Sequence, residues 1–170
     1  MRRPQIEGFR TAILTISDRG SRGERQDLSG PALENRLSET EEFRVVMEKI
    51  VSDEPAEIEA VLVSWSDQGL VDLILTTGGT GFSPRDLAPE ATTAVIERPA
   101  PGFAEVMRAE SLKITPHAMI SRAISGIRKS TLIINFPGSP KAACECLEFI
   151  LPALPHALAK LAGDPSDCGS

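Results

Sequence analysis

The sequence predicts an α/β three-layer sandwich, a mostly parallel sheet with helices on both faces, on three observations. Short, near-continuous apolar runs rich in β-branched residues recur along the chain, as expected of strands buried on both faces. Segments with apolar residues at helical spacing alternate with these runs. The runs end in Ser, Asp, Gly or Pro, so the unusual residues gather outside the carboxyl ends of the strands, where open parallel sheets bind ligands. The 170 residues suit one core, read as an extension at 1–10, a single domain at 11–163 and a flexible tail at 164–170.

The first strand is Thr11–Ile16, which delivers Ser17-Asp18-Arg19-Gly20 at its end. A charged loop from Ser21 to Leu28 leads into a helix that starts at Ser29-Gly30-Pro31, with Ser29 as its cap and Leu33 and Leu37 on its apolar face. The second strand spans about 44–51. Asp53-Glu54-Pro55 then carries the marks of a helix N-terminus, and Ile58, Val61, Leu62 and Trp65 recur at i, i+3, i+4 and i+7 before Gly69 closes the helix. Val71–Thr77 is the third strand and runs into Gly78-Gly79-Thr80-Gly81. Helical patterns follow at Pro89–Glu97, Gly102–Leu112 and Ala118–Arg128. Thr131–Phe136 is the fourth strand. Pro137-Gly138-Ser139-Pro140 then opens a long apolar helix that Pro152 and Pro155 should break or kink.

Composition excludes several classes. With 41% apolar and 25% charged residues the chain is ordinary globular protein. Its net charge of −6 repels nucleic acid and anionic membranes, so an anionic ligand must be held by local groups. No apolar run reaches the ~20 residues of a membrane span, and the start of the chain lacks a signal-peptide stretch, so a cytoplasmic protein is expected. Cys144, Cys146 and Cys168 show no Cys-x-x-Cys pair, which points to unpaired thiols, and His117 and His156 are isolated imidazoles.

The chemistry concentrates at strand ends. A glycine cluster after a strand lets backbone N–H groups converge on an anion, and Thr77 and Thr80 add hydroxyls. Gly78-Gly79-Thr80-Gly81 is neither a P-loop nor a dinucleotide fingerprint, and a plain tight turn is the competing reading. Asp86 follows five residues after Gly81 in a proline-bounded loop, and Asp53 lies at another strand end. Two carboxylates beside an anion nest suit magnesium-assisted phosphoryl or nucleotidyl transfer. The competing readings are a helix cap for Asp53 and a turn residue for Asp86. Pro137, Gly138 and Ser139 form a second turn-to-helix start whose free N–H groups also suit an anion, with Lys141 beside it, although an ordinary capped helix reads the same way.

Ser17-Asp18-Arg19 with Gly23, Asp27 and Ser29-Gly30, then Thr76–Gly81, then Arg85–Thr92, then Asn135–Ala142 together resemble the molybdopterin adenylyltransferases. These are the Mog and MoaB-type proteins, similar also to one domain of gephyrin. The resemblance runs from about residue 11 to 160. It implies a cytoplasmic homotrimer or higher oligomer that transfers AMP from Mg-ATP to the terminal phosphate of molybdopterin and releases pyrophosphate. A downstream molybdenum-inserting protein would be the partner. Residue by residue, Asp53 and Asp86 look like the two catalytic, magnesium-holding carboxylates. Thr77, Gly78, Gly79, Thr80, Gly81, Pro137, Gly138 and Ser139 look like the ligand loops, and Ser17 and Asp18 resemble the pterin-side motif. The chain departs from the pattern at Ala88, where threonine is usual and a hydroxyl cap is lost. A noncatalytic pterin-binding or carrier protein, and a nucleotide hydrolase, remain alternatives that the same loops would serve.

Overall fold

The computed structural model describes residues 8–165. Its strands are β1 (Phe9–Ile16), β2 (Phe43–Val51), β3 (Leu73–Thr77), β4 (Arg98–Pro99), β5 (Ser125–Arg128) and β6 (Thr131–Phe136), and its helices are α1 (Asp18–Ser21), α2 (Ser29–Ser38), α3 (Pro55–Asp67), α4 (Ala88–Val95), α5 (Gly102–Leu112), α6 (Pro140–Ile150) and α7 (Leu154–Leu161). One sheet has the order β2-β1-β3-β6-β5-β4. The first four of these run parallel, and β5 pairs antiparallel with both β6 and β4.

Because successive strand residues point to opposite faces, the apolar runs feed two cores. Ile13, Leu73, Leu75, Leu132, Ile134 and Phe136 pack with Leu33, Leu37, Met107, Leu147 and Leu158 of α2, α5, α6 and α7. Leu14, Ile74 and Ile133 pack with Ile58, Leu62, Trp65, Ala91 and Val95 of α3 and α4. The three-layer sandwich is thus as the sequence predicts, with β1, β3 and β6 central. The strand β2 lies at an edge and is exposed along much of its length. Residues 9 and 10 belong to β1, and Arg10 pairs with Asp72 at 2.7 Å. Expectations for residues 1–7, for residues 166–170 and for Cys168 lie outside the described residues. Cys144 and Cys146 are free thiols.

Four expectations are corrected. The segment 118–128 is not a helix: a 3-10 turn covers Pro116–Ile120, and Ser125–Arg128 is a strand. Ile120, Ala123, Ile124 and Ile127 mimic helical spacing, but Ser125 and Gly126 pair with Ile134 and Ile133 of β6, and Gly126 makes room for Ile96, whose Cδ1 would lie 2.5 Å from a Cβ there. Tertiary pairing overrides the local pattern. Ser29 does not cap α2: the N-cap position is Leu28, without a side-chain bond, and Asp27 just before it accepts through Oδ1 from the amides of Ser29 and Gly30, each at 3.1 Å. Asp53 does not cap α3, whose N-cap is Glu54 without a side-chain bond. Finally, the span Pro140–Leu161 does reach membrane-crossing length and apolarity. Here Pro152 and Pro155 act as expected: a 3-10 turn at Leu151–Ala153 splits the span into α6 and α7, and its apolar face packs on the sheet.

Candidate active site

At the carboxyl ends of β1, β3 and β6 the chain makes two interlocked turns. Gly78 takes φ +101° and its amide donates to Phe136 O at 3.1 Å. A Cβ at Gly78 would collide with Ile16 O, and one at Gly138 would lie 3.2 Å from Gly78 Cα. No side chain fits between these backbones. Thr77 Oγ1 donates to Pro137 O at 2.9 Å, fastening one turn to the other. Its proton is therefore committed to the scaffold, whereas the sequence reading has this hydroxyl as a donor to the anion. Asn135, buried, donates to Thr76 Oγ1 and Thr92 Oγ1 at 2.9 Å each and so ties β3, β6 and α4 together beneath the turns.

Beyond Gly78 the loop is open to a ligand. The amides of Gly79, Thr80, Gly81 and Phe82 have no acceptor among the described residues, and consecutive N–H groups of this kind form an anion-binding concavity. Gly79 sits at φ +66°. The two carboxylates flank this run: Asp53 Oδ1 lies 3.4 Å from the place a Gly79 Cβ would take, and Asp86 Oδ2 lies 2.8 Å from that of Gly81. Asp86 Oδ2 accepts from Ser83 N at 3.0 Å. Ala88 is not the cap position the sequence reading makes it, since the N-cap of α4 is Leu87; it is buried and anchors the loop through its own amide, which donates to Gly79 O at 3.0 Å.

Asp53 and Asp18 clasp each other. The Asp18 amide donates to Asp53 Oδ2 at 2.7 Å, and the Asp53 amide donates to Asp18 Oδ1 at 3.0 Å. Asp18 also receives two bonds from Arg85, whose remaining terminal nitrogen donates to Glu54. Hydrogen bonding to Arg85 and to the Asp53 amide holds the Asp18 carboxyl below its usual value. Burial pushes Asp53 the other way, reinforced by the charges of Asp18 and Asp86 and opposed by the Asp18 amide and Arg85. The guanidinium of Arg85 is thus engaged by Asp18 and Glu54, which leaves Asp53 Oδ1 as a half-buried carboxylate oxygen near Asp86. Among the described residues no cluster of three or more His, Cys, Asp or Glu side chains could close around a metal. Two hard oxygen donors next to free amides fit a magnesium ion that completes its shell with phosphate oxygens and water.

Two cavities flank the turns. One, of about 420 Å³, is lined by Gly79, Thr80, Gly81 and Asp86 on one side and by Met107, Ile120 and Cys146 on the other. The second, of about 370 Å³, is lined by Ser17, Arg25, Asp27, Thr77, Gly78 and Ser139. Gly138 borders both. Ser17 caps α1 by accepting from Gly20 N at 3.0 Å, and Ser139 caps α6 as expected, accepting from Ala142 N. Thr15 Oγ1 donates to Asp27 Oδ2 at 2.6 Å, and Gly30 leaves the space this bond needs. Lys141 is exposed and faces Glu145 at 3.8 Å. His117 and His156 are exposed.

The structure thus brings Ser17, Asp18, Asp53, Thr77–Gly81, Asp86 and Pro137–Ser139 to one end of the sheet. Sequence reasoning left two contributors outside the site. Asp27 is one, present in the first motif without a role and standing two residues before a helix start. Arg122 is the other: its side chain reaches Gly81 O, Asp86 O and Glu90, and no motif announces it.

Comparison with known proteins agrees with this arrangement. Residues 12–156 match the family model described as "Probable molybdopterin binding domain". The molybdopterin adenylyltransferase of Helicobacter pylori strain J99 is 46% identical over 163 residues, covering 94% of this chain and 91% of the relative. That of Escherichia coli K12 is 45% identical over 141 residues, covering 82% and 72%. Among solved structures, the molybdopterin biosynthesis enzyme MoaB of Thermus thermophilus superposes with a TM-score of 0.87 at 50% identity, covering 94% of this chain and 99% of that one. With the match spanning nearly all of the described sheet and both ligand turns, the chain belongs to the family of probable molybdopterin binding domains.

Proposed function

We propose that this protein is a molybdopterin adenylyltransferase, which transfers AMP from Mg-ATP to the terminal phosphate of molybdopterin. The observation that carries the reading is the run of free amides at Gly79–Phe82 flanked by Asp53 and Asp86. It suits a polyphosphate, and relatives 45–46% identical bear that activity in their names. A molybdopterin phosphate oxygen attacks the α-phosphorus, the bond from that phosphorus to the bridging oxygen breaks, and pyrophosphate leaves with the electron pair. The chain's residues contribute placement and electrostatics. The amides of Gly79–Phe82 hold phosphate oxygens, the clasp with Asp18 fixes Asp53, and Ser83 N fixes Asp86. Asp53 and Asp86 would hold a magnesium ion, which would supply positive charge against the phosphates. The two cavities on either side of Gly138 provide room for two substrates. The protein is further inferred to act as a homotrimer, as the family resemblance implies, and sedimentation velocity reads that directly.

The test is to mix protein, Mg-ATP and molybdopterin and to measure pyrophosphate and adenylated pterin. Release that requires the pterin and equals the adenylated product is expected. Tight pterin binding without pyrophosphate release would instead make the protein a carrier, and release without pterin would make it a nucleotide hydrolase.

A further inference from the structure

We propose that Arg122 is the positioning residue that shapes the phosphate-binding amides and aims Asp86, an inference that rests on the adenylyl-transfer reading for its kinetic consequence. The Arg122 backbone amide donates to Thr80 O at 2.9 Å, and Nε donates to Gly81 O at 2.9 Å. One terminal nitrogen donates to Asp86 O and the other to Glu90 in the first turn of α4. The guanidinium therefore grips both ends of the segment 81–86 through main-chain carbonyls.

Peptide planarity gives this grip its consequence. In a trans peptide the C=O of one residue and the N–H of the next point in opposite directions. Drawing the carbonyls of Thr80 and Gly81 toward Arg122 turns the amides of Gly81 and Phe82 away from it. These are two of the four amides that have no acceptor among the described residues. The third carbonyl held is that of Asp86 itself, so the same side chain fixes the Cα from which the carboxylate projects. The planar fork of arginine can hold several acceptors in fixed directions, which a lysine ammonium cannot do in the same way.

Arg122 is itself held in place. The Ile124 amide donates to Asn135 Oδ1 at 3.3 Å, within the buried network under the turns. Its neighbours Ser121 and Ala123 line the larger cavity. A side chain that merely anchored α4 would need only Glu90. The two carbonyl contacts that its side chain makes, to Gly81 and Asp86, serve the phosphate segment.

The experiment compares wild type with Arg122→Ala and Arg122→Lys by three measurements on each. They are steady-state pyrophosphate release with molybdopterin and Mg-ATP, calorimetric binding of inorganic pyrophosphate in EDTA, and thermal melting. Expected are a fall in kcat of ~10²-fold for Arg122→Ala, the scale on which a small misplacement of reacting groups acts, weaker pyrophosphate binding, and a smaller loss on both readouts for Arg122→Lys. Low-millimolar guanidinium should restore part of the Arg122→Ala turnover and none of that lost in Asp86→Asn. Wild-type kcat and pyrophosphate binding in a folded Arg122→Ala, with only the melting temperature lowered, would overturn the proposal. Should Arg122→Ala fail to fold, Arg122→Lys decides: unchanged kcat and pyrophosphate affinity overturn the proposal, and a loss in both upholds it. If wild type itself releases no pterin-dependent pyrophosphate, the adenylyl-transfer reading fails, while the pyrophosphate-binding arm still judges the role of Arg122.

Discussion

Replacing Asp53 by Asn separates the charge of this carboxylate from its shape. Asp53 Oδ2 accepts the Asp18 amide at 2.7 Å, and an Asn side chain offers the same donor a carbonyl oxygen. An Ala side chain does not, and a donor left without a partner costs about 1–3 kcal/mol. At this chain length each kcal/mol lowers the melting temperature by roughly 2–4 °C. Charge acts in the opposite sense. Burial, with the charges of Asp18 and Asp86 behind it, raises the Asp53 carboxyl above its ordinary value of 3.8. A carboxyl raised in this way binds its proton more tightly in the native state. Stability therefore grows as pH falls through the window between 3.8 and the raised value, and is diminished above that window. Asn carries no charge at any pH, so Asp53→Asn should melt at or above the wild-type temperature at neutral pH, while Asp53→Ala melts below it. Turnover should fall by ~10²–10³ in both, the effect of removing one preorganised electrostatic group. Pterin-dependent pyrophosphate release and thermal melting on the same samples read both quantities. Wild-type turnover in Asp53→Asn would remove Asp53 from the mechanism. A melting loss in Asp53→Asn as large as that in Asp53→Ala would refute the clasp geometry.

Asp86→Asn should keep the fold and the affinity for pterin while turnover drops at least ~10²-fold, and near-normal turnover would exclude Asp86 from the reaction. Gly78→Ala should destabilise the whole fold by about 2 kcal/mol or more, since the new methyl meets the β1 carbonyl of Ile16 at a backbone angle that strains any other residue. Gly79→Ala, beside Ala88 and Asp53 Oδ1, should weaken pyrophosphate binding more than folding, and unchanged binding by calorimetry would make Gly79 a turn residue only. Carboxyl-carbon NMR titration should place Asp53 above 3.8 in the wild type and lower in Asp86→Asn, because one of the charges that raise it is gone. An unmoved titration would deny that the two carboxylates sense each other.

The strands and the glycine turn are legible because their signals are local. Continuous β-branched runs mean burial on both sides, and a glycine pair after a strand marks backbone that no side chain could occupy, as Gly78 against Ile16 O bears out. The segment 118–128 is misread because helical spacing of its apolar residues is a weaker constraint than the edge of β6, which needs a partner. The side chain that holds the first amides of α2 is misassigned by two residues because Asp27 and Ser29 offer the same short polar acceptor chemistry, and only the fold decides which one faces those amides. Asp53 is legible as a carboxylate at a strand end, yet the partner that holds it, the Asp18 amide 35 residues away, is not. Arg122 is illegible for a related reason. It acts on main-chain carbonyls, which every residue possesses, so its targets leave no trace in residue type.

Gly138 borders both cavities and lies against Gly78, which gives the two chambers a common partition only one main chain thick. Molecules resting on either side are neighbours without sharing a chamber. A reaction between them then runs at a local concentration set by the thickness of that partition, and hardly at all by how much of each is in solution. Each chamber can evolve its own fit without disturbing the other. A branched side chain at position 138 would press on the main chain at Gly78 and so disturb both chambers at once.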